Sequence, residues 1–448
     1  MLTIELMRDA VLQADLSGIA RTDCHPDLVA NRFLALARDG LARVTKIGTS
    51  LSGDWPLYGV EVGEATLPAI VLTAGAHGEE HEGVLALLHL IEGYARGGAI
   101  RKALEGFRIV AVPQANPNGF IRNQAWMQNP SCSNYLARRW RDSPREDVEH
   151  SIPPSGEVYR RPEAQAIVKF YSMVAPNPSL YVTMHSNDGN AMGSFLGVVG
   201  DCEGALAHAC DLVRAFAPEI GVQLRNDDPR GAFGYQRISH GVYGMPSIMD
   251  MQCQRPDAFV NTAQWALGAL GARIAMISET QVLQAAYLTD VVVPDKMAHE
   301  FVAPWVEALR KAAEDRGALL ARFQSGDTQG LVADPVRLAY EMARHQGHWS
   351  RLAEVVRDEL KTYQITPATK RHQRDLEAME HELGFELAAT ATNILQDGSE
   401  RDLWQARLDA AYAELERIKG YSMVPLEKVI RFQLLNILAG VQAARCLK

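Results

Sequence analysis

The order strand, helix, strand between residues 67 and 114 constrains the fold of this chain more than any other feature. The run LPAIVLTAG at 67–75 is continuously apolar, as is typical of a strand buried on both faces of a sheet. A helix is predicted over 83–96, and FRIVAVPQ at 107–114 predicts the next strand. Because a helix that joins neighbouring strands makes them parallel with a right-handed crossover, this segment predicts an α/β fold.

Further β-like runs extend this sheet on both sides of the segment. They lie at 41–50, 56–63, 180–184, 194–199, 245–250 and 274–278. The predicted fold class is therefore α/β, with a mixed, mainly parallel twisted sheet flanked by helices. The stretch 115–160 is rich in Asn, Pro, Ser and Arg without a clear period, which predicts long irregular loops. Loops of that length in a compact domain are usually functional.

The sequence pattern changes near Pro294, where Ala, Leu, Glu and Arg at helical spacing replace the β-branched runs. Helices are predicted over 296–323, 332–347, 349–363, 369–386, 400–418 and 425–445. We therefore predict two domains, an α/β domain over 1–290 and an all-helical C-terminal domain or appendage over 291–448.

Composition narrows the possible functions. The 448 residues carry 45 basic and 54 acidic side chains, a net charge of −9 without a long basic run, so nucleic acid is not an expected partner. No segment approaches the roughly 18 uninterrupted apolar residues of a membrane span, and residues 1–10 lack the apolar core of a secretory signal. Six scattered cysteines without a C-x-x-C pair indicate free thiols. We expect a cytoplasmic protein with no membrane partner.

The pentad HGEEH at 77–81 directly follows the buried strand, where α/β sheets place their ligand sites. One interpretation makes His77 and Glu80 zinc ligands, with a second histidine from a distant strand and water in the fourth position. The other takes H-x-x-E-H as the inverzincin pattern, in which His77 and His81 are the ligands and Glu80 is the base. That pattern needs all five residues on one helix. Two glycines close to His77 disfavour such a helix, so the first interpretation is preferred.

Five segments in order resemble the zinc carboxypeptidase family over about residues 40–285. KIGTSLSGDWPLYGVEVG at 46–63 resembles the opening hairpin of that family, and TAGAHGEEHEG at 73–83 resembles its first zinc motif. NPNG at 116–119 is similar to its N-P-D-G turn. LYVTMHS at 180–186 resembles the strand with the second zinc histidine, and IAMISET at 274–280 resembles the strand with the catalytic glutamate.

The resemblance implies a zinc carboxypeptidase-like catalytic domain over 1–290 that binds one Zn²⁺ per chain. His77, Glu80 and His185 would be the ligands. Glu279 would be the general base that deprotonates the attacking water and later protonates the leaving amine, with Asp250 as the alternative. The chemistry is sound, because zinc lowers the pKa of bound water and a nearby carboxylate can transfer the proton.

The residues that would bind substrate depart from the family pattern. LARRW at 136–140 is similar to a motif with an Asn-Arg pair for a substrate carboxylate, and it places Ala137 at the asparagine and Arg138 at the arginine. Arg122 is the candidate for stabilising the oxyanion, as a catalytic residue. The candidate substrate-binding residues are Arg138, Arg139, Asn118 and Tyr243, with Tyr235 as the alternative tyrosine. Arg138, Arg139 and Arg141 could instead form a solvated basic loop.

The preferred hypothesis is a zinc-dependent hydrolase that cleaves an amide bond in a small peptide or N-acyl amino acid carrying a carboxylate. The alternatives are a non-catalytic zinc-stabilised scaffold or interaction protein, and an inverzincin-type protease that uses His77 and His81. The helical C-terminal region is expected to mediate self-association into a homo-oligomer.

Overall fold

The computed structural model describes residues 3–142, 147–152, 161–187, 193–199, 203–225, 236–247, 261–284, 370–396 and 398–447, with a few isolated positions between 311 and 321. These residues form two compact units. The first unit comprises Met1–Gln128, Trp140–Leu283 and Val424–Lys448, and the second comprises Asn129–Arg139 and Gln284–Met423.

A nine-stranded mixed sheet forms the centre of the first unit. Its strands are β1 (Arg43–Thr49), β2 (Pro56–Val62), β3 (Ala69–Ala74), β4 (Arg108–Val112), β5 (Leu180–Asn187), β6 (Phe195–Val199), β7 (Gln236–Ser239), β8 (Val242–Gly244) and β9 (Ala275–Gln281). Their spatial order is β1-β2-β4-β3-β5-β9-β6-β8-β7. The four consecutive strands β4, β3, β5 and β9 are parallel, and the sheet becomes antiparallel at β2 and β6. The predicted mixed α/β fold class is confirmed.

Helices flank this sheet and continue into the C-terminal region. They are α1 (Ile4–Met7), α2 (Pro26–Arg38), α3 (His81–Arg96), α4 (Ala99–Ala103), α5 (Pro117–Gln128), α6 (Cys132–Arg138), α7 (Pro162–Val174), α8 (Glu203–Ile220), α9 (Thr262–Trp265), α10 (Lys370–Ile394), α11 (Ser399–Lys419) and α12 (Leu426–Cys446). Two further strands are short. Strand β10 (Leu283–Gln284) precedes α10 in the sequence, and strand β11 (Ser422–Met423) follows α11. The helical character predicted after residue 369 is confirmed, while the predicted helices at 332–347 and 349–363 lie outside the described residues.

The two faces of the sheet are covered by different helices. On one face, aromatic side chains of α7 and α9 pack in a single apolar core with alternate residues of the central strands, among them Val71, Val110 and Tyr181. Helices α3, α8 and α12 pack together, and α12 lies against β5 and β9. At Gly440 of α12, a Cβ atom would lie 2.8 Å from the sulfur of Met276, so the absence of a side chain allows helix and sheet to approach closely.

In the described part of the segment 115–160, which was predicted as irregular loops, residues 117–128 and 132–138 are α-helical, so that prediction is wrong. Pro117 is the first residue of α5, and the side chain of Asn116 accepts a hydrogen bond from the backbone N–H of Gly119 at 3.0 Å. Ser131 accepts one from the N–H of Asn134 and caps α6. Asn and Pro are residues typical of turns, but the same pair also starts a helix, with Asn as the cap and Pro in the first turn.

Among the helices in the described ranges, none is both long enough and apolar enough to span a bilayer. The second unit is held by contacts between α10 and α11 and by α6 against α10. The second unit does not include all of the C-terminal helices, because α12, which follows it in sequence, belongs to the first unit. The predicted division near residue 290 stays a prediction.

Candidate metal centre

The candidate ligands lie where parallel strands β3, β5 and β9 end. His77 and Glu80 are in the loop that leaves β3 after Ala74, and His185 is near the carboxyl end of β5. The pairing of β3 with β5 ends at Ala74 and Met184, so the loop from β3 and the last residues of β5 emerge side by side. Carboxyl ends of parallel strands are the usual ligand-binding edge of such sheets.

Three side chains converge at this edge into one buried cluster. The possible ligand atoms of His77, Glu80 and His185 all lie within 4.8 Å of one another. Nδ1 of His77 is 3.2 Å from Nδ1 of His185. The two carboxylate oxygens of Glu80 each lie 2.8 Å from one of these nitrogens. The side chains are only 4, 1 and 3% exposed, so the cluster is shielded from bulk water.

The geometry and the donor set of the cluster fit zinc. Two imidazole nitrogens and a carboxylate are a common protein ligand set for catalytic zinc, with a further position left for water. Nitrogen ligands on tetrahedral zinc, with bonds of about 2.0–2.1 Å, stand ~3.3 Å apart. The 3.2 Å between the Nδ1 atoms of His77 and His185 is close to that separation.

The opposite nitrogens of both imidazoles are held by further carboxylates. Nε2 of His77 lies 2.7 Å from Asp147, and Nε2 of His185 lies 2.8 Å from Glu149. Carboxylates in this position orient metal-bound imidazoles and leave the other nitrogen for the metal. Neither acid was predicted from the sequence, since DVEH at 147–150 has no motif character.

Charge interactions within the cluster shift its pKa values. Burial and Arg141 both favour the neutral imidazole of His77, but the carboxylates of Asp147 and Glu80 outweigh them and raise its pKa to about 10. Burial opposes ionisation of Glu80, yet the two histidines lower its pKa to about 2. The same balance, with His185 as the main partner, holds the pKa of Glu149 well below its usual range. The carboxylates therefore stabilise positive charge on the two imidazoles.

The loop that carries His77 is not helical, because two glycines fix its path. Gly75 has a φ of +64°, a conformation that side chains rarely adopt. A Cβ atom on Gly78 would lie 2.3–2.5 Å from the backbone of Gly119. Helix α3 begins only at His81. The inverzincin pattern requires all five residues of the pentad on one helix. In the structure they do not share one.

His81 lies in a separate buried network beside the cluster. Its Nε2 is 3.0 Å from Glu82, and its ring meets Trp126 edge-on at 5.3 Å. Glu82 also accepts hydrogen bonds from Arg21 at 2.6 Å and from Ser186 at 3.1 Å. These partners direct the imidazole of His81 away from the three candidate ligands.

Glu279 lies next to His185 in the sheet. The two residues pair in the parallel register of β5 and β9, so their side chains leave the same face of the sheet. The carboxyl group interacts electrostatically with His185, Glu80 and Arg141. Burial, reinforced by the negative charge of Glu80, raises the pKa of Glu279 to about 7. A proton acceptor is thus placed beside the candidate metal centre.

The guanidinium that lies against the cluster belongs to Arg141. Its Nη2 is 3.1 Å from Nδ1 of His77, and its Nη1 is 3.4 Å from Glu79 and 3.5 Å from Glu80. About half of this side chain, 48%, is exposed, so Arg141 has the cluster on one side and solvent on the other. Glu79 is buried, and burial raises its pKa to about 7.

The backbone around Arg141 is fixed by its neighbours. Asn123 of α5 accepts a hydrogen bond from the N–H of Trp140 at 2.8 Å and donates one to the Trp140 carbonyl at 2.9 Å. Asp142 accepts from Asn116 at 2.8 Å and from Arg161 at 3.3 Å. The residues before and after Arg141 are therefore both held in place. A sequence could have indicated Arg141 only through the arginine-rich stretch that contains it.

The other predicted residues of the first unit have different surroundings. The guanidinium of Arg122 lies 4.3 Å from the centre of the Trp140 ring and 3.8 Å from Asp142. Asn118 accepts a hydrogen bond from Ser52 at 2.9 Å. Tyr243 is completely buried in β8, with its ring edge-on to Phe195 at 5.5 Å. Their catalytic or substrate-binding roles stay predictions.

Arg138 and Arg139 belong to the second unit, at the end of α6. Arg138 is exposed, and Arg139 lies over the ring of Tyr135 at 5.5 Å. Their roles in binding a substrate also stay predictions. The alternative base Asp250 and the alternative tyrosine Tyr235 lie outside the described residues.

The α/β fold and the buried His-Glu-His cluster at the carboxyl ends of its strands define a candidate metalloprotein of the α/β class. Residues 32–196 match the family model of zinc carboxypeptidases. The match confirms, for this segment, the resemblance to zinc carboxypeptidases that the sequence motifs predicted. It supports a metal-dependent peptide hydrolase.

Several solved structures are similar to this chain at low identity. A metallopeptidase of Shewanella amazonensis is 18% identical, with 58% of this chain and 85% of that chain covered and a TM-score of 0.40. A metallo-carboxypeptidase of Burkholderia cenocepacia is 12% identical, with 57% and 60% covered and a TM-score of 0.39. One of Pseudomonas aeruginosa is 18% identical, with 57% and 59% covered and a TM-score of 0.37.

Proposed function

We propose that the protein is a zinc hydrolase that cleaves an amide bond in a small peptide or N-acyl amino acid carrying a carboxylate. The observation that carries the proposal is the buried cluster of His77, Glu80 and His185, whose possible ligand atoms lie within 4.8 Å. The proposal assigns one zinc ion per chain to these three residues. The match of residues 32–196 to the family model of zinc carboxypeptidases supports the metal and the reaction class.

Each residue has a defined part in this proposal. Zinc bound there would supply Lewis acidity, which lowers the pKa of water and polarises a carbonyl. Asp147 and Glu149 orient the two imidazoles from their Nε2 sides. Glu279 accepts the proton of the attacking water and passes it to the leaving amine. Its place in register with His185 supports this role, because the two side chains leave the same face of the sheet.

Arg141 is proposed to bind the negatively charged oxygen atoms of the substrate. A guanidinium stabilises an oxyanion or holds a carboxylate through two parallel hydrogen bonds. The contact of its Nη2 with His77 at 3.1 Å supports Arg141 over Arg122 for this role. Because Arg141 is about half exposed, a substrate can reach it from solvent.

The test of the proposed function compares the wild-type protein with the variant Glu279→Gln. Zinc content is measured first, and hydrolysis of panels of peptides and N-acyl amino acids follows. The variant should bind zinc as the wild type does and lose about 10²–10⁴-fold in kcat, the usual contribution of a general base. Glu219→Gln, which changes an exposed carboxylate of α8, is the matched control and should keep full activity.

Two results would overturn the proposal in favour of an alternative. Full zinc occupancy without hydrolysis of any substrate in either panel would indicate a zinc-stabilised scaffold. Loss of zinc in His81→Ala but not in His185→Ala would indicate the inverzincin ligand set. The contacts of His81 with Glu82 and Trp126 support the opposite result.

A further inference from the structure

The face of the sheet opposite the cluster carries buried polar groups directly beneath it. Side chains alternate along a strand, so Ser186 and Ser278 point away from the face that carries His185 and Glu279. Both serines are buried. Ser186 donates a hydrogen bond to Glu82 at the start of α3. The strands beneath the cluster are thus contacted from behind by polar side chains as well as apolar ones.

Helix α12 supplies two of these polar side chains. Gln433 and Asn436 are both completely buried, one turn apart on the helix. Nε2 of Gln433 donates a hydrogen bond to the backbone carbonyl of His185 at 2.7 Å. Nδ2 of Asn436 donates one to the hydroxyl of Ser278 at the same distance, 2.7 Å. One amide therefore holds the backbone of a proposed ligand, and the other holds a side chain of the neighbouring strand.

The hydrogen bond from Gln433 reaches β5 just beyond the end of its pairing with β3. The ladder between β3 and β5 ends at the pair Ala74 and Met184, so His185 is the first residue of β5 beyond it. Past that point β5 keeps its pairing with β9, where His185 lies beside Glu279. The hydrogen bond from Gln433 thus fixes the backbone of His185 where support from β3 has ended.

Burying the amide side chains of Gln433 and Asn436 on a helix face lowers the free energy of unfolding. Among the residues that the structure describes, Oε1 of Gln433 and Oδ1 of Asn436 have no hydrogen-bond partner. A buried polar atom without a partner lowers the free energy of unfolding, and replacing Gln433 would also remove the donor to the His185 carbonyl. Local losses of this kind are expected where a side chain serves a site rather than the fold.

We propose that Gln433 is a positioning residue for the metal centre, acting through the backbone of His185. The inference rests on the proposed function, because it takes His185 as a zinc ligand. It extends the functional site to the last helix of the chain, far beyond residues 32–196 that match the family model. Gln433 does not touch the metal. It sets the place from which the imidazole of His185 reaches the cluster.

The test measures the zinc affinity of full-length variants by competition with a chromophoric chelator, together with urea unfolding of each protein. Gln433→Met removes the donor and keeps the volume of the side chain. We expect zinc to bind about tenfold more weakly, within the range found when groups behind metal ligands are removed. Asn436→Leu is the matched control, because it makes the same kind of change one turn away and contacts Ser278 instead of a ligand.

The outcomes separate a positioning role from a structural one. Zinc binding that is weaker in Gln433→Met and unchanged in Asn436→Leu, at similar urea midpoints of the two variants, supports the inference. Equal losses in both variants that follow their loss of stability would overturn it, as would unchanged zinc affinity in Gln433→Met. His185→Ala is the reference. If His185→Ala also leaves zinc affinity unchanged, the proposed ligand set fails, and with it the proposed function.

Discussion

Single residues decide the chemistry of the candidate site, and Arg141 is the clearest case. Three arginines at 138, 139 and 141 lie close together in sequence, and neither spacing nor composition distinguishes them. The structure brings Arg141 within 3.1 Å of His77. Arg122 instead stacks on Trp140. The choice depends on which way each side chain points, which the fixed backbone of Trp140 and Asp142 determines.

Replacing Arg141 should separate substrate binding from metal binding. Arg141→Met should lower kcat/KM by about 10²–10³-fold, because a donor to the developing oxyanion is lost. Zinc occupancy should stay at the wild-type value. Arg122→Met is the comparison, and it should lose less than about tenfold, since its partners are Trp140 and Asp142. A larger loss in Arg122→Met than in Arg141→Met would restore Arg122 as the oxyanion residue predicted from the sequence.

At the scale of single elements, the loop between β3 and α3 combines predictable and unpredictable features. The sequence predicted that glycines keep this loop from forming a helix, and the structure agrees, since α3 begins at His81. The partner of Gly78 could not be predicted. It packs against the backbone of Gly119, which is 41 positions later in the printed sequence and belongs to α5.

Adding a methyl group at Gly78 should therefore disturb the metal centre. In Gly78→Ala the new Cβ atom would meet backbone atoms of Gly119 at 2.3–2.5 Å, and backbone cannot move aside as a side chain can. We expect a loss of about 1–3 kcal/mol in the free energy of unfolding, measured in urea, and weaker zinc binding.

The control for this variant is Gly384→Ala, at a helical glycine of α10 where a Cβ atom meets no described residue within 4 Å. It should leave stability unchanged or raise it by up to about 1 kcal/mol, because alanine favours helices. If Gly78→Ala kept the stability and the zinc affinity of the wild type, the loop would have to move freely, contrary to its close packing against Gly119.

For the whole molecule, α12 lies with the first unit, whereas the sequence pattern grouped it with the C-terminal helices. The helix was predicted as part of the C-terminal helical region, and its boundaries agree with the pattern at 425–445. Its contacts, however, are with α3, α8, β5 and β9 of the first unit. The pattern of an amphipathic helix indicates that one face is buried. It does not indicate which surface of the protein covers that face.

Removing α12 should therefore unfold the first unit rather than release an appendage. The helix buries large apolar side chains, among them Phe432, Leu435 and Leu438. Each such side chain contributes roughly 1.5–3 kcal/mol, against about 5–15 kcal/mol for the stability of a whole domain. A chain that ends before residue 424 should be insoluble or lack a cooperative thermal transition in circular dichroism. A folded, zinc-binding product would contradict this expectation.

Self-association and a cytoplasmic location stay predictions at this scale. Size-exclusion chromatography with light scattering on the full-length chain measures self-association directly.

The central strands and the three candidate ligands could be predicted from the sequence alone. Apolar runs predicted the central strands, and the resemblance to zinc carboxypeptidases implied His77, Glu80 and His185 as ligands. In the structure each of the three lies near the carboxyl end of a parallel strand or in the loop after it, so all three lie at one edge of the sheet. Which groups surround these ligands depends on the tertiary structure. Asp147, Glu149, Arg141 and Gln433 reach the cluster or its ligands by contacts between distant parts of the chain. Such contacts depend on side-chain direction and helix packing, which local pattern does not encode.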